Sequence, residues 1–154
     1  MSDVNTNGVP ALSIRQPWAE LIINGQKTIE IRQWSTEYRG LLWIHVGGKC
    51  DPHTESAFGM SGLFRGGYLG RVVLRAVLPL DPERWETWRG RHLDRADYRP
   101  GLYGWLLSYP ERFVQPISGP GRLSLFYPPL EQQTVLRDAN LIAPRREFAR
   151  AASS

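Results

Sequence analysis

Hydrophobic and polar residues alternate over several short segments of the chain, and this alternation predicts β-strands. Between residues 27 and 34, Ile29 and Ile31 fall on one face of a strand, whereas Glu30 and Arg32 fall on the other. Similar short runs predict further strands over residues 11–14, 41–46, 68–78, 101–108 and 122–126. Strands that alternate in this way bury one face only, which is typical of antiparallel rather than parallel sheets.

Short helices interrupt the predicted strands. Trp18, Leu21 and Ile22 recur at the spacing of one helix face, Pro17 suits the first turn of this helix, and Gly25 is typical of its end. A second helix is predicted to begin after an aspartate–proline pair at residues 81–82. Five or more strands with two or three short helices indicate an α+β chain that is mainly β. The strand spacing favours a small, mostly antiparallel barrel with helices at its edges.

The length of 154 residues favours a single domain. We expect a flexible N-terminal arm over residues 1–9, a compact domain over residues 10–129 and a C-terminal extension over residues 130–154, where the periodicity is lost. No apolar run is long enough to span a membrane, and the N-terminus lacks the basic and then apolar pattern of a signal sequence. We therefore expect a cytoplasmic protein, and a monomer.

The charge of the chain permits a polyanionic partner without requiring one. There are 19 Lys and Arg residues against 15 Asp and Glu residues, which gives a formal net charge of +4. Only Lys27 and Lys49 are lysines, and the other cations are arginines, whose planar guanidinium suits phosphate groups. The single cysteine, Cys50, excludes an intramolecular disulfide and fits a reducing compartment.

A cation, a carboxylate and a second cation gather in the segment after the first predicted helix. Lys27 precedes the strand, and Glu30 and Arg32 share one of its faces, about 6–7 Å apart. Such a cluster can orient a phosphate through its cations and accept a hydrogen bond from a base through its carboxylate. From the periodicity alone, a ladder of surface salt bridges is the simpler interpretation.

Three possible metal ligands, His45, Cys50 and His53, fall within nine residues of one another. Their spacing matches no standard set of zinc ligands, so we expect no metal, and we expect His45 to face a cleft or its wall. The chain also lacks a Walker-type phosphate loop, a dinucleotide fingerprint and a Gly-x-Ser-x-Gly elbow, and no cofactor is expected. His92 lies in a charge-rich stretch and is expected to be solvated.

Three segments of the chain carry motifs that occur in this order in a known family. They are Ala11-Leu-Ser-Ile-Arg-Gln-Pro-Trp18, Gly25-Gln-Lys-Thr-Ile-Glu-Ile-Arg32 and Tyr38-Arg-Gly-Leu-Leu-Trp-Ile-His45. With them the chain resembles the ASCH domain family of the PUA-like superfamily, over about residues 11–126. The resemblance implies a PUA-like barrel of five to six strands with short flanking helices. It also implies a cleft between the barrel and the first helix, in which RNA or DNA is bound.

The resemblance implies a nucleic-acid site around the Gly-x-Lys-x-x-Glu-x-Arg signature, with RNA favoured over DNA. The residues expected to bind nucleic acid are Arg15, Lys27, Glu30, Arg32, Trp34, Tyr38 and Arg39. Their cations would contact phosphates, the carboxylate would accept from a base edge or hold Arg32, and an aromatic ring would stack on a base. A domain that binds a protein partner in a larger regulatory system is a further alternative.

Two enzymatic branches of similar proteins supply another alternative. One hydrolyses acetylated cytidine with a lysine and a threonine three residues apart; here Lys27 matches the lysine, whereas Glu30 occupies the threonine position. The other cleaves RNA, and the candidates for proton transfer in this chain are Lys27, Glu30, Tyr38 and His45. This alternative is an enzyme that acts on RNA or on a modified nucleoside in the same cleft, as a ribonuclease or as an amidohydrolase.

Overall fold

The computed structural model describes residues 8–144, which form one mixed sheet with short helices around it. The strands are β1 (Ala11–Ser13), β2 (Ile29–Arg32), β3 (Gly40–Val46), β4 (Gly67–Pro79), β5 (Tyr103–Ser118), β6 (Leu125–Phe126) and β7 (Leu141–Ile142). The helices are α1 (Trp18–Ile23), α2 (Pro52–Ala57), α3 (Pro82–Thr87), α4 (Arg89–His92) and α5 (Leu130–Asp138). In these residues no helix has the length and hydropathy to cross a bilayer.

The strands follow the order β2-β5-β4-β3-β1-β6, and β7 also pairs with β5. Within this sheet β1 and β3 run parallel, whereas the other paired strands run antiparallel. The ladder between β4 and β5 shifts register at three places, and such bulges increase the twist of a sheet. The sheet curls into a half-barrel, which confirms the predicted α+β, mainly β class.

Strand β5 extends well beyond the predicted end at residue 108. Tyr109 has a positive φ and precedes Pro110, a pattern that is typical of a turn. In the structure β4 pairs with β5 on both sides of this position, so the irregularity is absorbed as a break in register rather than as the end of the strand. Residues 109–118 then supply the ladder to which β7 adds.

The main core lies between the sheet and α1. Leu42, Ile44 and Val46 of β3 point to the same side, as their spacing predicts, and they pack with Ile22 and Ile23 of α1. All five side chains are almost fully excluded from water. Burial of an aliphatic side chain of this size is worth about 1.5–3 kcal/mol, so this layer fixes the position of α1 on the sheet.

The opposite side of β3 carries a second core. Trp43 stacks on Phe113 with their ring centroids 5.7 Å apart, and Tyr68, Phe126 and Leu136 complete the cluster. Leu136 belongs to α5, so residues 130–142 pack on the sheet through α5 and β7. Residues 1–7 of the predicted N-terminal arm, and residues 145–154 of the predicted extension, lie outside the described part of the chain.

Helices α3 and α4 cover a third, smaller cluster. Asp81 caps α3 as predicted, because its side chain accepts a hydrogen bond from the backbone N–H of Arg84. Trp85 is fully buried, and the ring of His92 stacks on it with the centroids 4.3 Å apart. The prediction that His92 is solvated is therefore wrong. Its ring turns inward and stacks on Trp85, an aromatic contact that the charges of this stretch do not reveal.

Candidate functional site

A cleft of about 920 Å³ opens where β1, β2 and β3 end. Four segments supply most of its lining, residues 13–18, 30–32, 47–49 and 119–124, and His45, Gly66 and Arg99 complete it. The charged residues that line it are Arg15, Glu30, Arg32, Lys49, Arg99 and Arg122. Among these described residues five are cations and a single one is a carboxylate, so the cleft presents a positive field to a ligand.

Lys27, Glu30 and Arg32 are joined in one chain of charge contacts. Lys27 Nζ lies 3.5 Å from one Glu30 carboxylate oxygen, and Arg32 Nε lies 3.2 Å from the other. Glu30 is 7% exposed, and its strand pairs with β5. The carboxylate is therefore shared between a buried cation behind it and a partly exposed cation in front of it.

Lys27 does not line the cleft. Its side chain is 3% exposed, and its ammonium group donates a hydrogen bond of 2.7 Å to the carbonyl of His92. Burial lowers the pKa of Lys27 below its usual value, and the neighbouring Glu30 carboxylate opposes that shift. Its Nζ also lies 4.9 Å from the ring centroid of Trp18, which does line the cleft. Lys27 therefore supports the wall of the cleft from behind.

Arg32 ties β2 to β1 at the floor of the cleft. Its Nη2 donates to the backbone carbonyl of Ser13 at 2.8 Å, and its Nε, close to Glu30, is buried without a hydrogen bond. Some 23% of the side chain stays exposed. The guanidinium is thus held in place on two sides while one part of it faces the cleft.

Ser13 and His45 lie side by side because β1 and β3 pair in parallel, with Ser13 in register with His45. The Ser13 hydroxyl oxygen lies 3.0 Å from His45 Nδ1, and His45 Nε2 lies 2.9 Å from the carbonyl of Gly119. Both residues line the cleft, and burial lowers the pKa of His45 below its usual value. His45 therefore faces the cleft, as the sequence predicts, and its burial favours the neutral ring.

Gly121 allows the last wall of the cleft to approach His45. A Cβ atom at this position would overlap the imidazole ring, so a side chain here would push the residues 119–124 away from β3. The sequence shows this wall only as a turn between Gly119 and Gly121, and the ring against which the turn packs comes from a distant strand.

The other predicted site residues stand apart from the cleft. Trp34 packs edge-on against Trp105 with the ring centroids 4.8 Å apart, and its carbonyl accepts from the Trp105 indole. Tyr38 donates its hydroxyl to the carbonyl of Leu41, and burial raises its pKa. Arg39 donates to backbone carbonyls of its own loop. The structure therefore brings Arg15, Glu30 and Arg32 together in the cleft, with Lys27 behind them. Trp34, Tyr38 and Arg39 lie outside it, on the connection between β2 and β3.

The sequence motifs do not predict several residues that line the cleft. They are Ser13, Trp18, Lys49, Arg99 and Arg122. Lys49 and Arg122 each follow a glycine-containing turn, and the backbone N–H groups of turns can form anion-binding concavities. Ser13 and Trp18 fall inside the Ala11–Trp18 motif, where their spacing suggests only strand and helix core.

The possible metal ligands are dispersed in the structure. Cys50 and His53 are exposed, whereas His45 is buried and hydrogen-bonded to Ser13. In residues 8–144 no group of three or more His, Cys, Asp or Glu side chains could hold a metal ion.

Comparisons with known proteins agree with this architecture. The family model of the ASCH domain matches residues 12–117. The crystal structure of ASCH from Zymomonas mobilis has a TM-score of 0.60 at 17% identity and covers 87% of this chain and 97% of its own. A point mutant of that protein has a TM-score of 0.60 at 16% identity, covering 85% of this chain and 98% of its own. At this identity the likeness concerns the fold.

Two relatives match over a short segment. Activating signal cointegrator 1 from Mus musculus is 53% identical over 38 residues, and the protein of that name from Homo sapiens is 50% identical over 38 residues. Each match takes up 25% of this chain and 6% of the relative. The shared segment is therefore a small part of a much longer protein.

Proposed function

Because this chain belongs to the ASCH domain family, we propose that it binds nucleic acid, with RNA favoured over DNA, in the cleft that its cations line. The observation that carries the proposal is the charge of the cleft: five cations and one carboxylate among its described lining residues. Phosphate groups supply most of the affinity of nucleic acids for proteins, and guanidinium groups bind them in bidentate fashion.

The single carboxylate does not cancel this field. Glu30 is contacted by Lys27 from behind and by Arg32 from the side, so its negative charge is balanced inside the wall. Arg15, Lys49, Arg99 and Arg122 are all exposed, and none of them forms an ion pair with another described residue. They remain available to phosphate oxygens.

The shape of the cleft favours an unpaired strand. Its volume of about 920 Å³ lies within the range of roughly 300–1,000 Å³ that is typical of pockets for small ligands. It suits an unpaired nucleotide with its flanking phosphates rather than a duplex. Trp18 on one wall offers a ring for stacking, and Glu30 offers an acceptor for a base amino group.

This proposal is tested with fluorescently labelled single-stranded RNA, single-stranded DNA and duplex, titrated with the full chain at several salt concentrations. We expect single-stranded RNA to bind most tightly, and the affinity to fall steeply with salt. Arg122→Ala should weaken binding of every sequence and reduce the salt slope by about one, as loss of one phosphate contact does. Arg137→Ala is the matched control, because Arg137 is exposed on α5 and does not line the cleft.

Binding that is insensitive to salt would overturn the proposal. So would equal effects of Arg122→Ala and Arg137→Ala, because a general attraction between basic protein and polyanion would then explain the binding. A preference for duplex over single strands would contradict the part of the proposal that concerns the unpaired strand.

A further inference from the structure

The hydrogen bonds of His45 determine its tautomer. The carbonyl of Gly119 can only accept, so Nε2 of His45 carries the proton that bridges the 2.9 Å between them. In the neutral ring Nδ1 then has a lone pair, and it accepts from the hydroxyl of Ser13 at 3.0 Å. The three groups stand in the order hydroxyl, base and orienting group, which is the order that an activated serine requires.

We propose that Ser13 and His45 form a nucleophile–base dyad that hydrolyses acyl esters carried on the hydroxyl groups of bound nucleotides. The nucleotide part of this substrate rests on the proposed function of the cleft. The reactive serine does not, since it follows from the geometry of β1, β3 and the Gly119 carbonyl.

Two glycines border the dyad. Ser13 is half-buried and lines the cleft, and a Cβ atom added to Gly47 would still lie 3.8 Å from the Ser13 hydroxyl oxygen. Gly121 holds the other side of the site against His45 without a side chain. The two glycines thus flank the hydroxyl and the imidazole, and no side chain of theirs covers either group.

Arg32 contacts the backbone of the residue that carries the nucleophile. Arg32 donates to the backbone carbonyl of Ser13, and part of its guanidinium stays exposed to the cleft. Arg32 and Ser13 line the same cleft, and positive charge there stabilises the negative oxygen that develops when a carbonyl is attacked. Glu30 holds Arg32 on its other side, so the guanidinium keeps its position without a ligand.

The reaction proceeds in two balanced steps. The Ser13 hydroxyl oxygen attacks the ester carbonyl, its proton passes to His45 Nδ1, and the bond to the nucleotide oxygen breaks as that oxygen takes the proton from Nδ1. An acyl-serine remains. Water then attacks the acyl-serine, gives one proton through Nδ1 back to the serine oxygen and releases a carboxylic acid. The net reaction consumes one ester and one water and yields one alcohol and one acid.

The first experiment measures acid release from 2′(3′)-O-acetyl adenosine monophosphate with the full chain. We expect turnover in the unmodified protein, and a loss of at least about 100-fold in both Ser13→Ala and His45→Gln. Ser35→Ala is the control, because Ser35 is exposed and lies outside the cleft. Thermal unfolding of each variant is measured alongside, and Ser13→Ala, which removes a single hydroxyl, keeps the test valid where His45→Gln fails to fold.

The second experiment needs no nucleotide. A fluorophosphonate reacts with an activated serine by forming a phosphorus–oxygen bond and losing fluoride, and the serine proton passes to the base. We expect one adduct, on the peptide that contains Ser13, and no adduct in Ser13→Ala. Modification of another serine, or no adduct together with no ester turnover above a buffer control, overturns the dyad.

RNA binding is measured on the same Ser13→Ala and Ser35→Ala proteins. Labelling of Ser13 without RNA binding would contradict the proposed function and leave the reactive serine standing. RNA binding without labelling or turnover would overturn the dyad and leave the binding cleft standing. The two proposals therefore fail separately.

Discussion

Two buried histidines, His45 and His92, have the same tautomer and opposite surroundings. Each directs Nε2 to a backbone carbonyl, of Gly119 for His45 and of Trp85 for His92. Their other nitrogens differ: Nδ1 of His45 accepts from the Ser13 hydroxyl in the cleft, whereas Nδ1 of His92 accepts from the backbone N–H of Asp94. Both ring nitrogens of His92 are thus bound by backbone groups, whereas Nδ1 of His45 is bound by a side-chain hydroxyl that lines the cleft.

The cations around the two histidines differ in the same way. Near His92, Arg89 forms two hydrogen bonds to the carboxylate of Glu86 and others to the carbonyls of Asp94 and Ala96. Its guanidinium also lies 5.7 Å from the ring centroid of Trp85. These internal contacts use the donors of Arg89, while Arg15 and Arg122 in the cleft stay exposed. Basic residues among aromatic residues therefore indicate a binding surface only where their donors are free.

The largest expected effect comes from Glu30, the carboxylate in the wall of the cleft. Glu30→Ala leaves the buried Lys27 and the Arg32 guanidinium without their shared partner. Breaking a buried pair by removing one member costs about 3–5 kcal/mol, and we expect the free energy of unfolding to fall by this order. Denaturation by urea measures it.

Glu86→Ala is the matched control, because it removes a carboxylate near His92. Glu86 is exposed and pairs with Arg89 at the surface, so we expect a much smaller change in the free energy of unfolding. Equal losses for the two variants would show that Glu30 is not the buried centre of the charge cluster.

An intermediate effect on stability is expected when Gly121, which packs against His45, is replaced by alanine. Gly121→Ala places a methyl group in the space of the His45 ring, and such overpacking costs about 1–3 kcal/mol. It should also weaken RNA binding, because the wall of the cleft must move. Gly90→Ala in α4 is the control: a Cβ there meets nothing within 4 Å, and alanine in a helix stabilises by about 0.5–1 kcal/mol. A free energy of unfolding that is unchanged in Gly121→Ala would contradict the close packing of Gly121 on His45.

The smallest expected effect is a pH dependence of the free energy of unfolding, to which both His45 and His92 contribute. Burial lowers the pKa of both His45 and His92 below 6.5, the ordinary value that applies in the unfolded chain. Below about pH 6.5 the unfolded state binds protons that the folded state still excludes, so stability is full above that pH and falls as the pH drops toward the lowered pKa values.

The midpoint of urea unfolding, measured from neutral pH downward to the range where carboxylates begin to titrate, checks this expectation. His45→Gln should flatten part of the fall, and the remainder belongs to His92. A midpoint that stays constant, or rises, through this range would show that at least one of the two rings takes up its proton in the folded state as readily as in water.

Much of the fold could be predicted from the chain alone because it depends on local pattern. The alternation around Ile29 and in β3, the turn at Gly25 and the cap at Asp81 are set by residues within a few positions of one another. The alternation predicts the fifth long strand only to residue 108, whereas the ladder with β4 carries β5 past Tyr109 and Pro110, which have a local turn preference. Long-range pairing prevails over local preference there.

The candidate site, too, could be predicted in part from local spacing and in part not. The motif with Lys27, Glu30 and Arg32 marks a charge cluster by its spacing, and the structure joins these three side chains. Which of them meets a ligand does not follow from the spacing, since Lys27 is buried beneath the carbonyl of His92. The burial of a residue depends on what packs over it, and His92, which covers Lys27, lies 65 residues further along the chain.

By itself the sequence determined the mainly β class, the positions of most elements and the charge motif, because periodicity and turn preferences act over a few residues. Only the tertiary structure decided that Ser13 meets His45 and that Arg122 reaches the same cleft as Arg15. These neighbours are far apart in the chain, and the parallel pairing of β1 with β3 and the return of the chain after β5 bring them together.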